Sequence, residues 1–210
     1  IAHEIRNPLF VIRLLFDALN LEFGDEDVRT KDVSIIREKL DQLEGIVSRV
    51  LSFGKSHEDV KVRSDLRVIV RDVLHLVRLK LQQSRIELEL DELPKGLMVE
   101  ASQGQLQQTI LNLLINATQV MPDGGQIKVR VFSDEIEGTQ VGVITITDTG
   151  PGVSKDIQGK IFDSFLTSNP EGTGLGLAIS KRIMKSHNGD VEMMSTSPEG
   201  TTMRIWLPLL

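Results

Sequence analysis

The chain has 210 residues, 40% of them hydrophobic, enough for one sizeable domain or two small ones with buried cores. Its 24 Lys and Arg against 30 Asp and Glu leave a net charge of -6, which argues against a nucleic-acid surface, and the lack of cysteine excludes disulfides, thiolate metal sites and a cysteine nucleophile. No apolar run approaches the roughly 20 residues that span a bilayer and no signal-peptide layout opens the chain, so a cytoplasmic piece without membrane contact of its own is expected.

Residues 1–56 read as a helical hairpin. Ile5, Leu9, Ile12, Phe16 and Leu19 form one heptad seam, and Val33, Ile36, Leu40, Leu43, Val47 and Val50 a second. The polar stretch from Glu22 to Thr30, with Gly24, is the turn between antiparallel neighbours. Two helices bury too little alone, so the expected object is a homodimer whose two hairpins pack as a four-helix bundle.

The apolar rhythm lapses over residues 57–64, read as a linker to a second domain over 65–210. There, helical spacing returns over Asp65 to Gln83, Gln105 to Met121 and Leu175 to His187. Alternating runs around Ile86 to Leu90, Ile127 to Val131, Val141 to Ile146 and Met203 to Leu207 read as strands. The fold class is therefore α+β, a helical hairpin followed by an α/β sandwich.

Five islands carry candidate chemistry. In HEIRNPL, the helix seam falls on positions 2, 5, 9 and 12, which leaves His3 exposed, Glu4 adjacent and Asn7 one turn along the same face; Pro8 loosens the helix there. His57, His75 and His187 read as ordinary surface histidines. In NLLINA, Asn112 and Asn116 lie four apart on one helical face, and their amide oxygens suit a hard cation such as Mg²⁺ or a backbone-capping role. Asp148 ends a strand at DTGPG, where a carboxylate can accept from an exocyclic amino group and Gly150 and Gly152 let backbone approach a flat ligand; an ordinary Asp-Gly turn is the alternative. IFDSFLTS runs from Ile161 to Ser168. GTGLGL places Gly172, Gly174 and Gly176 before a helix, a layout for phosphate or simply a flexible turn, and it fits neither the dinucleotide fingerprint nor the Lys-containing P-loop.

In order and spacing these islands resemble the H, N, G1, F and G2 boxes of sensor histidine kinases, and the closing GTTMRIWLP is similar to that family's last strand. NLLINATQVMPDGG and TSNPEGTGLGLAIS resemble the nitrogen-regulation and dicarboxylate-sensor branch. The resemblance implies a GHKL-type ATP-binding domain in which Asp148 reads the adenine amino group and Asn116 holds Mg²⁺ with Asn112 beside it. It further implies that Gly172, Gly174 and Gly176 approach the phosphates with Thr173 and Leu175 between them, that Thr201 helps at adenine, and that residues between Gly152 and Gly172 form a lid anchored by Phe162 and Phe165. His3 would take the γ-phosphoryl group from ATP, Glu4 would act as general base, and an aspartate on a response regulator receiver domain would be the final acceptor. Asn7 is associated in the family with dephosphorylation of that regulator. Asn169 stands where such proteins often have Lys, and the chain opens only two residues before His3, as expected of a fragment whose full-length protein can be membrane-bound. Two rival readings remain at this stage: an ATP-driven conformational machine of the gyrase and Hsp90 kind, which would carry a glutamate at position 112, and a catalytically weak dimeric scaffold.

Overall fold

The computed structural model describes residues 12, 13, 16, 29, 30, 32, 33, 35, 36, 40, 60–91, 96–167 and 174–210. The chain divides into two compact units, Ile1–His57 and Glu58–Leu210. In the first, every described residue is helical. Leu40 is buried, whereas the seam residues Ile12 and Ile36 are exposed in the single chain, as is Ile35.

The second unit is a two-layer sandwich of three long helices and a mixed sheet. Its elements run β1 (Val62–Asp65), α1 (Leu66–Gln83), β2 (Ile86–Leu90), β3 (Met98–Ala101), α2 (Gln103–Gln119), β4 (Gly125–Ile136), β5 (Thr139–Asp148), the short α3 (Lys155–Gln158), α4 (Gly176–Ser186), β6 (Asp190–Ser197) and β7 (Gly200–Pro208). The main sheet has the order β2-β4-β5-β7-β6, with β2 parallel to β4 and every other pair antiparallel.

Helix boundaries follow local chemistry. The Asp65 carboxylate accepts from Arg67 N at 2.9 Å and caps α1, whose stripe of Leu66, Ile69, Val70, Val73, Leu74, Val77 and Leu81 is buried. Ser102 caps α2 by accepting from Gln105 N at 3.4 Å. Helix α4 buries Ala178, Ile179, Ser180, Ile183 and Met184. The sheet's inner face supplies Ile127, Val129, Ile144, Ile146, Ile205 and Leu207, all buried. Its other face carries the ion pairs Lys128–Glu89, Arg130–Asp91 and Arg204–Glu192.

Two differences from the sequence expectations have physical causes. Strand β1 occupies the end of the stretch read as linker: Val62–Asp65 pair with Met98–Ala101 in a separate two-stranded sheet, and neither four-residue strand is long enough to show a period of its own. Strand β6 went unread because DVEMMSTS is rich in polar and small residues; its place comes from pairing with β7.

Candidate functional site

Asp148 is the last residue of β5, opposite Ile127 of β4 and Thr201 of β7, so the interior of the sheet fixes its backbone. It is 7% exposed. Its Oδ1 accepts from Gly150 N at 2.9 Å and Thr201 N at 3.3 Å. No described group donates to Oδ2, which can accept from a donor outside the protein. Burial raises the carboxyl above its ordinary value, and the two backbone bonds partly offset that rise.

The glycines beside Asp148 are required by the protein's own packing. A Cβ on Gly150 would lie 2.9 Å from both Asp148 Oδ1 and Val120 Cγ2. Gly152 has φ +77, and a Cβ there would collide with the Ser197 carbonyl. That loop is clamped to β6 by Val153 N, which donates to Thr196 Oγ1 at 2.8 Å. Thr196 Oγ1 in turn lies 3.1 Å from Thr201 Oγ1, so the Thr201 hydroxyl braces the loop while its amide holds Asp148.

Asn112 and Asn116 are half-buried on α2, one turn apart. Asn112 Nδ2 donates to Gly176 O at 3.2 Å and to Ser180 Oγ at 3.4 Å, which ties it to the start of α4. Asn116 makes no side-chain hydrogen bond among the described residues. One further turn brings Val120, which touches the Gly150 position. Residues 112, 116 and 120 thus form a row about 12 Å long, from the α4 N-terminus at one end to the Asp148 loop at the other. The first N–H groups of α4 have no intrahelical partners and face the favourable end of its dipole. The row can hold a base at the carboxylate and phosphates at the helix start.

Gly174 has φ +63, and a Cβ there would stand 2.5 Å from Phe165 C, so this glycine lets the chain cross the 165–166 segment. Phe165 N donates to Gly174 O at 2.9 Å. Leu175 is buried under the start of α4 and Gly176 lies against the Asn112 amide. Of the two proposed lid anchors, Phe162 is half-buried with Lys181 Nζ 4.8 Å from its ring centroid, but Phe165 is 72% exposed and anchors nothing by burial. His3, Glu4, Asn7, Gly172, Thr173 and Asn169 lie outside the described residues.

His187 is not a surface histidine, contrary to the sequence reading: it is buried where α4 ends. Its Nε2 accepts from Ser102 N at 3.0 Å, so Nδ1 carries the proton and donates to Ile183 O at 2.8 Å. Burial lowers its pKa, the Ile183 bond opposes that, and nearby Lys61 lowers it further. Exposed His75 does fit the surface reading. Sequence reasoning also missed Thr196 and Ser180. A lone serine within the apolar stripe of α4 was the available signal for Ser180; nothing local marks Thr196.

Residues 101–210 match the family described as histidine kinase-, DNA gyrase B- and HSP90-like ATPase, and residues 1–59 match the His Kinase A phospho-acceptor domain. The chain is 34% identical over 218 residues to the sensory histidine kinase/phosphatase NtrB of Vibrio alginolyticus, covering 100% of this chain and 61% of that protein. Among solved structures, full-length ShkA in complex with AMPPNP superposes with a TM-score of 0.80 at 27% identity, over 99% of this chain and 44% of that one. The histidine kinase ThkA in complex with the response regulator protein TrrA gives 0.72 at 26% identity, over 100% of this chain and 60% of that one. The chain spans from 28% to 61% of the length of the curated relatives first in similarity.

Proposed function

Because the chain belongs to the sensor histidine kinases, with NtrB among its relatives, we propose that it is the ATP-dependent autokinase core of a homodimeric sensor that phosphorylates His3 and passes the phosphoryl group to a response regulator aspartate. The observation that carries this reading is the Asn112–Asn116–Val120 row, with a buried carboxylate whose Oδ2 is open at one end and a helix N-terminus at the other. Asp148 accepts the adenine amino group. The α4 N-terminus, with Gly172, Thr173, Gly174, Leu175 and Gly176, receives the phosphates.

Among the described residues no cluster of three His, Cys, Asp or Glu can hold a metal. The amide oxygen of Asn116, whose side chain bonds to no described group, and that of Asn112, whose nitrogen is turned to Gly176 O, fit Mg²⁺, a cation that leans on few protein ligands and on nucleotide phosphates. Bound there, Mg²⁺ supplies charge neutralisation at the triphosphate. The chain's own residues do the rest. A ring nitrogen of His3 attacks the γ-phosphorus in line, its bond to the ADP oxygen breaks, and Glu4 accepts the ring's other N–H so that the attacking lone pair stays available. The regulator's carboxylate then displaces the imidazole. ShkA solved with AMPPNP and ThkA solved with TrrA support the nucleotide and the partner. The exposed seam residues Ile12 and Ile36 support a second copy that covers them.

No helix among the described residues is long and apolar enough to cross a membrane. The cytoplasmic location belongs to the proposal because the proposed reaction consumes ATP. Position 112 favours the kinase over the ATPase machine, since an amide tied to Gly176 O and Ser180 Oγ cannot activate water as a carboxylate does. Incubation with γ-labelled ATP, in a chain extended upstream of Ile1, tests the proposal: acid-labile, base-stable label should appear and vanish in His3→Gln, which still binds nucleotide. Free phosphate without protein label would establish the ATPase, and neither product the scaffold.

A further inference from the structure

His187 is buried and titratable, and phosphoryl transfer as described makes no use of it. We infer that His187 is a positioning residue that, in its neutral form only, locks the end of α4 to the start of α2, so that nucleotide affinity falls in acid. This rests on α2 and α4 being the walls of the nucleotide site.

Helices α2 and α4 run antiparallel: the start of α4 meets α2 at Asn112, and its end meets α2 at Ser102. The Asn112 amide joins the two helices beside the phosphate end, and the His187 ring joins them about 15 Å further along α2. Backbone groups fix the state of that ring. Ser102 N can only donate, so Nε2, 3.0 Å away, carries a lone pair; Ile183 O can only accept, so Nδ1, 2.8 Å away, carries the proton. A proton on Nε2 would set two donors against each other. Ser102 is itself buried, so its amide loses this acceptor without gaining water unless the helices part. Helix α2 carries no charged residue. The other elements at the junction bring Lys61, Arg63, Glu100, Lys185 and Asp190. Lys185 is held by Asp190, and Arg63 stands opposite Glu100 on exposed strand positions. Lys61, which donates to Ser186 O, is the charge that acts on the ring, and it disfavours a second cation. A nucleotide that spans both helices needs them locked, so its binding and the protonation of His187 oppose each other. Affinity is then flat where the ring is neutral and falls by at most about tenfold per pH unit below the free protein's midpoint.

The test measures Mg-ADP affinity by calorimetry from pH 7.5 to 5.0 and divides each parent value by that of His187→Gln at the same pH, which cancels the titration of the nucleotide. The glutamine can offer an oxygen to Ser102 N but takes up no proton, so the ratio should fall by at least about threefold across that range. His187→Leu offers no acceptor and should bind about fivefold more weakly than His187→Gln at pH 7.5, the size of one net hydrogen bond. In the parent, the titration midpoint of the His187 ring, followed by NMR, should move to lower pH when Mg-ADP saturates the site. A ratio that does not change with pH, or a midpoint that Mg-ADP leaves in place, would overturn the positioning role while the nucleotide site stands. Failure of the unsubstituted chain to bind Mg-ADP at pH 7.5 would remove the site and the inference together.

Discussion

Replacing Asp148 by Asn exchanges one acceptor for a donor and changes almost nothing else. The amide oxygen can take over the bonds from Gly150 N at 2.9 Å and Thr201 N at 3.3 Å, so the loop after β5 should keep its shape. The nitrogen then occupies the place of Oδ2 and meets the adenine amino group donor to donor. A hydrogen bond to a charged group is worth about 1.5–3 kcal/mol, so ATP affinity should fall by roughly 10- to 150-fold. An inosine nucleotide, whose ring carries a carbonyl at that position, should gain relative to ATP. Stability should not fall. Burial raises the Asp148 pKa above its ordinary 3.8, so between that value and the folded one the native state binds more protons than the unfolded chain. The ionised carboxylate therefore costs stability as pH rises through the folded pKa, and an uncharged amide avoids the cost at neutral pH. Calorimetry with adenosine and inosine triphosphate analogues, beside a thermal melt, decides the matter. ATP affinity within twofold of the parent, or an equal loss for both nucleotides, would refute the assignment of Asp148 to the base.

Other perturbations probe the frame and the chemistry. Gly152→Ala forces a side chain into the left-handed region and against the Ser197 carbonyl, so it should destabilise by at least about 1–2 kcal/mol, seen as a lower melting midpoint. His187 is held neutral, with its pKa below the ordinary 6.5, so the unfolded chain binds more protons between the two values. Its contribution should be full above that range and lost as pH falls through it; urea titrations at pH 7.5 and 5.5 should show a drop that is smaller in His187→Gln. Asn7→Ala should largely spare labelling of His3 but slow loss of phosphate from the regulator, because an amide can hold the attacking water in line. Loss of labelling as complete as in His3→Gln would contradict that division of roles.

The sequence alone determined what depends on local order. The apolar spacings around Ile69, Ile110 and Ile183 placed the three long helices, and five ordered islands carried the family, because helical period and motif spacing are properties of contiguous residues. Asp148, Asn112 and Asn116 were legible as polar residues where the pattern calls for something else. What they touch was not. That Gly150 and Gly152 make room for Val120 and Ser197, that Thr196 clamps the loop before α3, and that His187 is buried against Ser102 N all follow from pairs 30 to 85 positions apart. Such contacts leave no period in the chain. Strands β1, β3 and β6 likewise exist only through their partners, since a short strand satisfies its backbone groups solely by pairing. Tertiary structure also decided the direction of the Asn112 amide, because only the Gly176 carbonyl, brought 64 residues along the chain, dictates which end turns inward.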